Sequence, residues 1–345
     1  TTDGVNLLNV GQLAEASGDD MIFPVIMAAI VSAVDKHGDL MRMSIAAPGN
    51  DFRLGACEAP PAIISTYLGP DMTEYLKAYT SGSAKPYSPG TKTLDMGASC
   101  LAPITMPAED RNRTSPFPYG GHRFEFRAVG SSQNVSLVNT VLNTITAEAF
   151  KNFSDAIEAG ASPREVASKA LDAHWRVIFN GDNYDEANQQ MLTDMGLWRI
   201  DSGVEAMQCF TSEKNVKLFS ELGVLSPEES ASRQAVLLAH YSGTVEMEAL
   251  CMIDMINKNV LPSMREADLG FVSELESAVG TLKSALAAIH AETSEEKAAK
   301  MARTLRLETM EEIRAICDAA EAVCPEELWT LATYKDLLFL DQTLE

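Results

Sequence analysis

The sequence predicts an α+β chain, with a loop-rich region of short elements over residues 1–140 and a mainly helical region over 141–345. Three observations carry this reading. Proline and glycine recur every few residues in the first region, as in Pro48-Gly49, Pro60-Pro61, Gly69-Pro70, Pro89-Gly90 and Gly120-Gly121, and such pairs cut a chain into short pieces. Arg123-Phe124-Glu125-Phe126-Arg127 alternates charged and apolar residues. On a strand this puts both phenylalanines on one face and Arg123, Glu125 and Arg127 on the other. After Asn139 helix-start signals take over.

In chain order, the most apolar run is Met21 to Val34, which carries Pro24 and ends at Asp35. At about 14 residues it is too short to span a bilayer, so it reads as a core helix. Ser162-Pro163-Arg164-Glu165 and Ser226-Pro227-Glu228-Glu229 each offer an N-cap serine, proline at the first helical position and glutamate at the third. From 272 onward, Val272, Leu275, Val279, Leu282, Leu286 and Ile289 alternate spacings of three and four. A second seam, Met310, Ile313, Cys317, Ala320 and Cys324, follows the capping box Thr293-Ser294-Glu295-Glu296. Two such helices joined by a short polar turn pair as an antiparallel hairpin, here over about 271–324. The loop from Asn180 to Glu186 superficially suggests a calcium loop, but its glycine and distal glutamate are out of place.

With 345 residues the chain has room for one large domain or two ordinary ones. Its 27 Lys and Arg stand against 49 Asp and Glu, a formal net charge of −22, which repels nucleic-acid phosphates and anionic lipid. Neither nucleic acid nor a membrane is therefore an expected partner. Hydrophobic residues at 46 % exclude wholesale disorder. The six cysteines are scattered without a CxxC pair, the usage of a reducing, cytoplasmic setting. The start Thr1-Thr2-Asp3 has no positively charged leader, so the expectation is a chain without a signal peptide and a fragment of something longer.

An acidic chain that binds an anion must do so through a local basic cluster. Two segments, Ala47 to Pro61 and Asp110 to Ser132, hold Arg53, Arg111, Arg113, Arg123 and Arg127, with Lys85 and Lys92 between them, around the carboxylates Glu58 and Glu125. Guanidinium forks bind carboxylates and phosphates bidentately. A glutamate between arginines stays ionised and can hold a divalent cation. The same residues could equally form a surface ion-pair lattice. The five histidines include no HxH or HxxxH pair, and no histidine is placed to activate Cys57.

The segments GNDFRLGACEAPPAIIS, DRNRTSPFPYGGHRFEFRAVGSS, NTVLNTITAEAF, ALCMIDMINKNVLPSM and TYKDLLF resemble the C-terminal half of the type III glutamine synthetase family. The resemblance implies an antiparallel sheet with helices over 1–140, forming the C-terminal part of a catalytic domain. The region 141–345, with its helical hairpin, follows it. It also implies ATP-dependent ligation of glutamate and ammonia through γ-glutamyl phosphate, with ATP and Mg²⁺ or Mn²⁺ as cofactors and a ring-shaped homo-oligomer as the assembly. By the same resemblance Arg53 and Arg127 contact glutamate, and Glu58 is the flap carboxylate that closes the site and helps deprotonate ammonium. Arg113 and Arg123 lie at the ATP phosphates, and Glu125 ligates the metal nearer the nucleotide. Phe52 and Cys57 depart from the family pattern, where His and Asn are expected. The family's other metal ligands belong to the half preceding Thr1, so this chain alone is expected to be inactive. Two alternatives stay open: a γ-glutamyl ligase using another amine, and a non-catalytic paralogue serving assembly or regulation.

Overall fold

The structure is a computed structural model that describes residues 4–56, 59–88, 92–94, 97, 102, 104–106 and 113–339. After the short helix α1 (Val10–Ser17), the apolar run read from the sequence becomes the longer helix α2 (Phe23–Ser44), with Pro24 in its first turn. All but two of the 22 residues of α2 are buried. A helix buried all round must satisfy its own polar side chains against other elements, and α2 does so along its second half. Asp35 accepts from His174 Nδ1 at 2.8 Å and Arg176 Nε at 2.9 Å. His37 meets Glu148 at 2.8 Å, and Asp39 accepts from Lys214 Nζ at 2.7 Å and Asn215 Nδ2 at 2.9 Å. Arg42 donates to Ile200 O at 2.7 Å and Asp51 Oδ1 at 3.2 Å. Gly38 is required by packing, because a Cβ there would lie 2.7 Å from Trp198 Cδ1.

The elements that follow are α3 (Pro48–Arg53), β1 (Thr66–Tyr67), α4 (Pro70–Ser81), β2 (Lys92–Leu94), β3 (Ile104–Met106) and β4 (Phe117–Pro118). Then come α5 (Ser136–Glu158), α6 (Pro163–His174), α7 (Glu186–Asp194), α8 (Gly203–Gln208) and α9 (Glu213–Glu221). α5 and α6 pack on α2. Ser162 caps α6 by accepting from the Glu165 amide, the bond its sequence signature calls for. At the start of α10 (Pro227–Met255), Ser226 Oγ accepts from the Glu229 amide while the Ser226 amide donates to Glu229 Oε2 at 2.8 Å.

The chain is mostly helical with little sheet, and the antiparallel sheet expected of the first region needs correction. Among the described residues, β1 and β4 pair in parallel over two residues, and β2 and β3 form a separate antiparallel ribbon. The run 123–127 is not a ladder strand; Phe124 makes a single bridge, to Tyr119. Proline supplies the reason. The amides of Glu125 and Arg127 donate to Pro118 O at 3.1 Å and Pro116 O at 2.9 Å, but neither proline has an N–H to return the bond. The hairpin is bonded in one direction at both positions.

By compactness the chain divides into one unit running to Gln234 and a second from Ala235. The change of composition near residue 140 falls inside the first. In the second unit α10 runs into a π turn (Ile256–Val260) ahead of α11 (Leu261–Glu266), whose Pro262 cannot make the usual backbone bond. α12 (Val272–Ala291) packs on α13 (Glu295–Thr304) and α14 (Met310–Glu321), and a second π turn (Leu305–Thr309) joins the last two. Leu275, Val279, Leu282, Leu286 and Ile289 are buried on α12; Ala299, Ala302, Leu305, Ile313 and Ala320 are buried opposite. A π turn inserts a residue and rotates the seam, and Met310 and Cys317 are only partly buried. The short helix α15 (Tyr334–Leu338) is closed by a capping box between Thr333 and Asp336. Among the described residues no helix is long and apolar enough to cross a membrane.

Replacing Arg42 with Met leaves the Asp51 carboxylate buried beside an apolar chain and should cost about 3 to 5 kcal/mol, measured by urea unfolding. Glu148 gives a pH test. The hydrogen bond from His37, with Lys36 adding to it, holds its carboxyl down at about 2 against an ordinary 4.5. The folded carboxyl titrates below the unfolded one, so its contribution is full above about pH 4.5 and disappears as pH falls toward 2. That component of acid destabilisation should be absent from Glu148→Gln.

Candidate active site

The hairpin 116–127 shows how an irregular segment still sorts its side chains. Phe124 stacks on Phe117 at 4.8 Å and Phe126 meets Phe117 edge-on at 6.0 Å. Both phenylalanines thereby face inward, and the charged residues between them face out. Arg123 Nε donates to Glu125 Oε1 at 2.8 Å and Arg127 Nε donates to Glu125 Oε2 at 2.9 Å. Arg123 Nη1 also lies 3.0 Å from His122 Nε2. The Arg123 hydrogen bond, then that of Arg127, holds the Glu125 carboxyl below the usual carboxylate range. The result is a row of cation, anion and cation with half-exposed heads.

Arg53 reaches this neighbourhood through Asn50. Asn50 is buried on α3, and its Nδ2 donates to Ile45 O and Ala128 O, both at 2.8 Å, while its Oδ1 accepts from Arg53 Nη1 at 3.3 Å. One amide therefore ties Arg53 to the residue that follows Arg127. Ile45, Ala128 and Val138 form a small core beneath, with Phe126 and Leu54 packed against it. Asn50 was not among the candidates read from the sequence. The signal was present: it stands three residues before Arg53 on a helix, the spacing of a shared face.

Of the other candidates, Arg113 is exposed on the segment leading into β4. Glu58, Cys57 and Arg111 lie outside the described residues. Phe52 is 54 % exposed. Among the described residues no three His, Cys, Asp or Glu side chains gather as a metal site. Glu125 stands as a carboxylate held by Arg123 and Arg127, and the described residues do not gather a metal site around it.

Residues 163–283 match the family described as glutamine synthetase C-terminal domain. Over 380 residues the chain is 35 % identical to a type-3 glutamine synthetase of Dictyostelium discoideum, covering 99 % of this chain and 51 % of that protein. This chain matches as a fragment of a type III glutamine synthetase. It is also similar to a glutamine synthetase of Butyrivibrio fibrisolvens, at 31 % identity over 98 % of this chain and 53 % of that protein. A Bacteroides fragilis glutamine synthetase shows 29 % identity over 98 % and 52 %. The chain spans about half the length of the curated relatives it matches.

In this chain Asn50 and Glu125 should respond differently to substitution. Asn50→Ala strands two buried carbonyls and should cost about 1 to 3 kcal/mol per group left unmade. Glu125→Gln alters an exposed pair and should change stability by less than about 1 kcal/mol. Urea titrations of both variants read the contrast directly.

Proposed function

We propose that this chain is part of an ATP-dependent glutamate–ammonia ligase and supplies one side of its active site. The match to this family supports the reaction, and the row Arg123, Glu125, Arg127 with Arg53 tied beside it supports the placement. Forming an amide from a carboxylate at neutral pH requires turning a carboxylate oxygen into a leaving group. Transfer of the ATP γ-phosphoryl group to glutamate, giving γ-glutamyl phosphate, does this. Bringing two anions together is chiefly a problem of alignment and charge neutralisation.

In this reading Arg127 and Arg53 bind the glutamate carboxylate, and Arg123 and Arg113 face the ATP phosphates. Glu125 offers one carboxylate to a divalent cation, Mg²⁺ or Mn²⁺, whose bound form supplies charge neutralisation among the phosphate oxygens. Glu58 closes the site, keeps water from the acyl phosphate and accepts a proton from ammonium. The region 1–140 carries these groups as the C-terminal part of a catalytic domain. The region 141–345 follows it and carries the hairpin at about 271–324. We place the protein in the cytoplasm as a ring-shaped homo-oligomer.

The test uses the full-length protein. Arg127→Lys keeps the charge but loses the planar fork. It should weaken glutamate use by about 2 to 3 kcal/mol, the scale of a hydrogen bond between charged groups. Glu125→Gln should raise the metal requirement and impair ATP use, with glutamate affinity less affected. If steady-state titrations of glutamate, ATP and metal give the two variants the same small defect, the row is an ion-pair lattice and the proposed roles fail. Deleting Phe271 to Cys324 behind a short linker should change the sedimentation profile far more than nucleotide binding.

A further inference from the structure

The polar loop Asn180 to Glu186, set aside above as a poor calcium loop, has a different use in the fold. Asn180 sits where the chain leaves its bridge to Thr66. Its Oδ1 accepts from the amides of Leu68 at 3.1 Å and Gly69 at 3.0 Å, and its Nδ2 donates to Thr73 Oγ1 at 2.7 Å. The side chain thus fixes the turn from β1 into α4. Three residues on, Asn183 is fully buried. Its amide donates to Thr114 Oγ1 at 2.9 Å, and its Oδ1 accepts from Ser65 Oγ at 3.1 Å. Thr114 Oγ1 in turn points a longer bond, 3.5 Å, at Gly181 O. The threonine hydroxyl is held from two sides by one loop.

Thr114 directly follows Arg113 and leads into buried Ser115, whose Oγ accepts from the Phe117 amide at 3.3 Å. β4 is itself pinned to β1 by the bond from Thr66 Oγ1 to Phe117 O at 2.8 Å. From β4 back to Thr114, every step is tied to buried structure; Arg113 is exposed at the end of that tether. One detail argues against a purely stabilising role. Asn183 Nδ2 is buried without a hydrogen-bond partner among the described residues, which costs stability, so an asparagine here is poorly explained by stability alone. Gly181 belongs to the same device, since a Cβ there would lie 2.5 Å from Phe179 Cζ and push the loop off Thr114.

We infer that Asn183 and Thr114 form a positioning latch for Arg113, fixing the backbone from which that guanidinium meets the nucleotide phosphates. The latch touches neither substrate and acts only through Arg113. The inference rests on the phosphate role proposed for Arg113. It predicts a defect confined to nucleotide binding, unlike general loosening, which would also affect glutamate.

The experiment measures binding of ATP and a non-hydrolysable analogue by calorimetry, with KM for ATP and glutamate alongside, in the full-length protein and four variants. Thr114→Val removes the hydroxyl and should weaken nucleotide binding about five- to tenfold, the scale of one lost hydrogen bond, with the glutamate KM within about twofold of its starting value. Thr114→Ser keeps the hydroxyl and should restore affinity. Ser65→Ala, which frees Asn183 Oδ1, should give a smaller loss of the same kind and serves alone if Thr114→Val does not fold. Arg113→Ala separates the two levels of the argument. If it weakens nucleotide binding while Thr114→Val, or Ser65→Ala standing alone, leaves binding unchanged, the latch is refuted and the role of Arg113 stands. If Arg113→Ala binds nucleotide normally, the role of Arg113 falls and the latch falls with it. Equal losses for ATP and glutamate in Thr114→Val would also overturn the proposal in favour of plain destabilisation.

Discussion

The first unit depends on one buried ion pair. Arg42 and Asp51 both have side chains with no solvent exposure, and removing two charges from water costs several kcal/mol for each ion. The pair is tolerable only because every neighbour contributes. Arg42 donates to Ile200 O and Asp201 O as well as to Asp51. Both oxygens of Asp51 accept from the Gly203 amide, at 2.8 and 3.0 Å, at the start of α8. Gly203 cannot be anything larger, since a Cβ would lie 2.4 Å from Asp51 Oδ1. Four pieces of chain thus meet at one point: α2, α3, the segment 200–202 and α8. That meeting sets the position of α3, and α3 carries Arg53.

From this anchor the site is reached by short polar links more than by sheet. Asn50, one residue before Asp51, bonds to Ala128 O and so joins α3 to the end of the Arg123–Arg127 run. The aromatic contacts of Phe117 with Phe124 and Phe126 fix the inner face of that run, leaving its charged face outward. Precision here comes from buried side-chain amides and ring packing, both insensitive to whether the backbone completes a ladder.

The parts legible in the sequence were those governed by local rules. Ser162 and Ser226 cap their helices as their neighbours require, because an N-cap is decided within four residues. The alternation of 123–127 correctly sorted faces, because rings and charges separate on any extended backbone. The sheet was illegible for a reason that is itself local. Pro116 and Pro118 were visible, but what they deny depends on which residues lie opposite, and pairing is non-local. The ties of Asn50 and Asn183 to Ala128 and Thr114 span 78 and 69 residues, beyond the reach of any periodicity. The polar groups of α2 were hidden in the same way. A run that reads as simply apolar continues into Asp35, His37, Asp39 and Arg42, whose partners come from segments more than a hundred residues later and from α3.

Pro116 and Pro118, before and within β4, also have a directional meaning. With Pro116 and Pro118 facing the hairpin, that edge offers only carbonyls at those two positions, and a donor returns only beyond them, where the Gly120 amide meets Arg123 O at 2.7 Å; on the other edge the Tyr119 amide reaches Tyr67 O at 2.8 Å. A strand whose edge offers carbonyls alone at two alternate positions carries a local polarity in the plane of the sheet. Its neighbours cannot be exchanged: a segment rich in free amides fits the hairpin side, and one offering carbonyls fits the β1 side. Strand order is thereby written into two residues that break the regular pattern, and a misfolded arrangement with the two neighbours swapped would lose its bonds on both edges at once.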